Sequence, residues 1–67
     1  MDEVLELLAG TAERFEEAAH AARVKATQAD SAGCDEDAYE LRLLAGKLSE
    51  LADEASATLR RAFALQG

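Results

Sequence analysis

The chain of 67 residues has no proline, no tryptophan and a single cysteine. Without proline, no position lacks a backbone donor, so nothing in the sequence forbids long helices. Isoleucine is also missing, and two valines, two phenylalanines and one tyrosine leave few of the residues that favour strands. One cysteine, Cys34, excludes an internal disulfide or a multi-cysteine metal site, and a free thiol sits most easily in a reducing cytosol. Basic charge is scarce: 7 Lys and Arg stand against 14 Asp and Glu, for a net charge of −7. A nucleic-acid or anionic-membrane ligand needs a basic patch, so neither is expected as a partner. The longest apolar runs are three or four residues, whereas a bilayer span needs about 20. The start, Met1-Asp2-Glu3-Val4, has no positively charged n-region, so no secretory signal is expected. A soluble, cytoplasmic protein with no membrane insertion follows as the expectation.

What the chain does contain is alanine, 16 times, and leucine, 10 times, among glutamates, lysines and arginines. These are strong helix formers, so the expected fold class is all-α. A chain of this size rarely builds a core worth more than about 3–5 kcal/mol without staples. With no disulfide available, a partner protein or a second copy becomes the expected source of additional burial.

The clearest interruption is Asp30-Ser31-Ala32-Gly33-Cys34-Asp35. Gly33 suits the left-handed position that ends a helix, and Asp35 is the expected N-cap of the next, followed by Glu36 and Asp37 where the dipole favours acid. Arg60 and Arg61 are expected in the last turn. A single domain over 1–67 results: helix 1 about 2–30, a turn at 31–35 and helix 2 about 36–64. Gly10-Thr11 is a weaker break, which leaves open whether residues 2–9 are a short lead-in helix or the first turns of helix 1.

Steps of three and four pick out Leu5, Leu8, Ala12, Phe15, Ala19, Ala22, Ala26 and Ala29 in the first helix. The same stepping gives Leu41, Leu44, Leu48, Leu51, Ala55, Thr58, Ala62 and Leu65 in the second. This is the narrow seam of a coiled coil. Folding the chain at Gly33 sets Ala26 against Leu41, Ala22 against Leu44, Ala19 against Leu48 and Phe15 against Leu51, so that small residues meet large ones. Lys25 then lies opposite Glu40. The expected architecture is an antiparallel two-helix hairpin.

An alanine-rich seam buries little area, and apolar residues remain outside it. Val4, Leu7, Tyr39, Leu43 and Phe63 are the candidate partner-binding residues, with Val24 also off the seam. No catalytic, cofactor-binding or metal site is expected. Glu17-Ala-Ala-His20 has the Glu-x-x-His spacing of di-iron bundles, but its register places both residues on the outer face rather than in a core. Cys34 precedes a helix N-terminus, yet three acids follow it and oppose a thiolate. The hydroxyls have no base and no cleft, so an enzyme is not expected. The acidic clusters at Asp35-Glu36-Asp37 and at Glu50, Asp53 and Glu54 read first as a solvated face.

Gly33, Cys34, Asp35 and Tyr39, followed by Leu41, Leu48 and Leu51, form a Gly-containing turn, then a tyrosine that opens an amphipathic helix. In this layout and in length the chain resembles the small co-chaperones of the bacterial type III secretion needle. The resemblance implies a cytoplasmic hairpin that binds a helical-repeat chaperone and helps keep the needle subunit monomeric before export. The leucine spacing after Tyr39 and the alanine content depart from that family. The alternative reading is a self-associating hairpin, two copies forming a four-helix bundle with a structural or inhibitory role.

Overall fold

The computed structural model describes residues 2–66. Two helices account for it: α1 (Asp2–Ser31) and α2 (Asp35–Gln66), packed as an all-α hairpin. Its long dimension is 51 Å, close to the ~48 Å of a straight helix as long as α2. Gly10 does not interrupt α1, which is continuous. Thr11 caps nothing; its hydroxyl donates to the Leu7 carbonyl at 2.8 Å, as an intrahelical serine or threonine does.

The turn is short, with three residues, 32–34, between the helices. Gly33 has φ +81°. The Cys34 amide donates to the Ala29 carbonyl at 2.8 Å and the Gly33 amide to the Asp30 carbonyl at 3.0 Å, which is the paired Schellman arrangement. The carbonyl of Cys34 then accepts from the Ala38 amide at 3.0 Å, the first bond of α2. Cys34 thus closes one helix and opens the other, and it is the N-cap in place of Asp35. Asp35, Glu36 and Asp37 occupy the first turn instead, where their charge meets the positive end of the helix dipole. Asp30 and Arg42 pair across this turn, both on the surface. The hydrogen bond to Asp30, and then its charge, hold the Arg42 guanidinium above its ordinary pKa.

A Cβ at position 33 would meet nothing within 4 Å, so substitution there tests backbone conformation alone. Gly33→Ala is expected to cost about 1–2 kcal/mol, the left-handed penalty of an L-residue, and Gly33→Asn less. Chemical denaturation followed by circular dichroism measures the difference.

At the other end α2 runs on to Gln66, beyond the expected stop near 64. Arg60 and Arg61 therefore lie more than a turn before the terminus, and the last turn holds no basic residue.

The seam of α1 is the expected one. Leu5, Ala12, Ala19, Ala22 and Ala26 are buried, and Leu8, Phe15 and Ala29 are half-buried. The seam of α2 is rotated from the expected one. Leu41, Leu48, Ala55 and Ala62 keep their places, but the buried row beside them is Ala38, Ala45 and Ala52, with half-buried Leu59. Leu44 is 51% exposed and Leu65 84%; Thr58 is exposed and Leu51 half-buried. Moving from residues 44 and 51 to residues 45 and 52 turns the inward face by roughly 50°. The pairing also slides by about one turn. Ala26 and Ala45 line one groove, and Ala19 and Ala52 another, so alanine lies across from alanine rather than from leucine.

The physical reason is close approach. Alanine recurs every seventh residue at 12, 19 and 26 and again at 38, 45 and 52. Two such rows present almost bare backbone to each other, so the helices nest and gain dispersion contacts that a leucine row would hold apart. Of the eight buried residues among those described, seven are alanine and the other is Leu5.

Candidate docking surface

With heptad letters assigned so that the alanine rows are position a, the half-buried row is position d: Leu8, Phe15, Ala29, Leu41, Leu48, Ala55 and Ala62, with only Ala22 fully covered. The hairpin is thus a two-helix slab with two unequal flanks. On one, the e positions of the helices meet. Arg23 donates to the Ser49 hydroxyl and Arg42 to the Asp30 carboxylate, and Glu16 and Asp53 line the same side. This flank is polar and solvated.

On the other flank the g positions meet. Lys25 and Gln28 of α1 line an open groove with Asp37, Glu40, Leu41 and Leu44 of α2, which keeps Lys25 and Glu40 on one flank, although the slide in register takes them out of the expected direct opposition. In α2 the g row is Asp37, Leu44, Leu51, Thr58 and Leu65, and it adjoins the half-buried d row. Apart from Asp37 and Thr58, three adjacent rows of α2 are therefore apolar, and α1 covers only two of them. The g and c rows of both helices carry Arg14, Lys25, Lys47 and Arg61 against Asp37, Glu40 and Glu54. In a chain of net charge −7, this face is close to neutral, and the acid excess lies on the polar flank and the outer edges. A surface that is to be desolvated needs that balance, because charge is depleted at interface cores.

The five candidate partner-binding residues are all exposed, from 48% at Val4 to 67% at Leu7. They do not form one patch. Tyr39 and Leu43 lie a turn apart on the outer side of α2 near the hairpin turn. Phe63 is about 36 Å further along the same helix and sits on the polar flank, at an e position. Antiparallel pairing brings Val4 and Leu7, in the first turns of α1, to Phe63's end of the slab. The larger feature is the leucine-bearing face of Leu41, Leu44, Leu48 and Leu51. The heptad stepping places these four in the seam, so the sequence alone does not mark them as surface. The signal that marks them is the phase of the alanines: Ala38, Ala45 and Ala52 repeat with the same spacing as Ala12, Ala19 and Ala26.

The remaining reactive side chains are scattered. Glu17 and His20 are exposed on the side of α1 away from α2. Cys34 is exposed at the turn. The hydroxyls of Thr11, Thr27 and Thr58 each donate to a carbonyl four residues earlier. Among the described residues, no three His, Cys, Asp or Glu side chains come together, and no helix is long and apolar enough to cross a membrane. Compared with models of protein families, with curated proteins and with solved structures, the chain matches none.

Proposed function

We propose that this chain is a non-enzymatic adaptor that docks its leucine-bearing face against helices of another protein. The observation that carries the reading is the division of labour among its apolar residues. Alanines fill the core, while Leu41, Leu48, Leu51 and Phe15 stay half-exposed and Leu44 lies mostly open. A small protein that needed its leucines only for its own stability would bury them first, because a leucine contributes far more on burial than an alanine. Leucines kept at the surface in a near-neutral strip suit the apolar stripe of a partner helix, recognised as side chains spaced along a groove.

Among adaptors, the layout supports a role like that of the needle co-chaperones: a cytoplasmic hairpin held by a helical-repeat chaperone, the two together keeping a polymerising needle subunit monomeric. The turn at Gly33 and Cys34, followed by Tyr39, carries that more specific reading. The test is co-expression with the helical-repeat needle chaperone of the organism that encodes the chain, followed by gel filtration. Co-elution is expected, and Leu44→Glu is expected to weaken it by a hundredfold or more, as loss of a central apolar anchor does, while circular dichroism stays helical. Separate elution of the two proteins would sink the co-chaperone reading. Co-elution unaffected by Leu44→Glu would place the contact on another face.

A further inference from the structure

The leucine-bearing face of α2 is self-complementary, and we infer that in the absence of a partner it is closed by a second copy of this chain, α2 lying antiparallel on α2. The inference rests on the reading of that face as a docking surface and names an occupant for it. The first observation is the order of charges along the c row, which borders the face: Glu40, Lys47, Glu54 and Arg61 alternate in sign at seven-residue intervals. Residues seven apart on one helix are about 10 Å from each other, so these four do not neutralise one another in pairs along the row. Turned antiparallel about the midpoint of α2, which falls between Glu50 and Leu51, Glu40 of one copy meets Arg61 of the other, and Lys47 meets Glu54. Both pairs share one register, and it is the register that overlaps the two helices from end to end. Two-fold symmetry doubles each pair.

The second observation is the apolar rows, whose character is independent of the charges. Within two residues of the same register, about 3 Å along the axis, Leu41 meets Ala62 of the second copy and Leu48 meets Ala55, so each large side chain faces a small one. Leu44 meets Thr58, and Leu51 lies on the axis against its own copy. This is the isologous, two-fold contact of most homodimers, in which one patch serves both subunits. Neutrality of the face removes the repulsion that a chain of net charge −7 would otherwise meet in self-association.

Sedimentation velocity on the full chain, together with cysteine cross-linking in a Cys34→Ser background, tests this. A dimer is expected at micromolar concentration, and Leu51→Cys is expected to form an intermolecular disulfide on mild oxidation. Glu50→Cys, its neighbour on the outer edge of α2, is expected to remain a thiol. Lys47→Glu is expected to raise the dimer dissociation constant about tenfold, since two symmetry-related pairs become repulsive. Lys47→Glu combined with Glu54→Lys is expected to restore it with the thermal midpoint of the dilute monomer unchanged across the variants, which separates the contact between copies from the pair that Lys47 makes with Glu50 of its own helix. A monomer at every concentration, equal cross-linking at positions 50 and 51, or failure of the double exchange to restore the dimer would each overturn the inference. A monomer that still binds the helical chaperone in a Leu44-dependent way would overturn the dimer and leave the adaptor reading standing. A monomer that binds nothing through Leu44 would remove both.

Discussion

Ala45→Leu lowers the thermal midpoint by roughly 10 °C, whereas Leu44→Ala, one residue earlier, moves it by no more than a few degrees. The pair of substitutions exchanges the same two residue types at adjacent positions. Alanine and leucine have nearly equal helix propensity, so the contrast isolates packing. Ala45 is buried in the alanine row that faces Ala26. A leucine there has no space to enter without pushing the helices apart, an overpacking cost of about 1–3 kcal/mol. For a hairpin whose whole core is worth about 3–5 kcal/mol, that is a large share. Leu44 is 51% exposed, so its removal leaves no cavity. Had Leu44 been the seam residue that simple periodicity suggests, its truncation would cost about 2–5 kcal/mol. Thermal melts by circular dichroism, run dilute so that self-association does not contribute, decide between the two. A severe loss at Leu44 with tolerance at Ala45 would show the seam to be the leucine row after all.

Gly10→Ala combined with Gly46→Ala raises stability by about 2 kcal/mol, close to 10 °C in the midpoint. Both glycines lie inside continuous helix, where glycine is disfavoured by about 1 kcal/mol relative to alanine because its unfolded chain is more mobile. A methyl group added at either position meets nothing within 4 Å, so no packing penalty opposes the gain. The two sites are far apart along the slab, and their effects should add. Gly33 supplies the internal control, because the same substitution there loses stability through its positive φ. Equilibrium denaturation of the three single variants and the double variant measures all four values. A loss at Gly46 would mean that something covers the polar flank, where Gly46 lines a groove with Arg23 and Arg42, on the side of α2 away from the leucine-bearing face.

Much of this structure is legible along the chain. Helix content follows from alanine, leucine and glutamate with no proline, and the turn follows from Gly33. The inward face of α1 is legible because only one pair of its rows is consistently apolar; the neighbouring g row carries Thr11 and Lys25, and the e row Glu16, Arg23 and Asp30. For α2 the same reasoning stalls. Its a, d and g rows are all apolar over most of the helix, so two adjacent seams, a with d or d with g, satisfy a heptad equally well. Counting apolar residues favours the seam with more leucine, and that preference led to the wrong pair of rows and to a register one turn away. Tyr39, Leu43 and Phe63 were visible as leftovers, but Leu44 and Leu51 were hidden inside an assumed core.

The absence of proline, the abundance of alanine and leucine and the single helix-ending turn at Gly33 by themselves determine that this chain is a two-helix hairpin closed by a glycine. Those are local properties: propensity, capping and the sign of charge act within a turn or two of the residue concerned. Only the tertiary structure decided which alanines nest and which leucines are left facing outward. That choice depends on how closely two backbones can approach, a property of both helices together that neither periodicity contains.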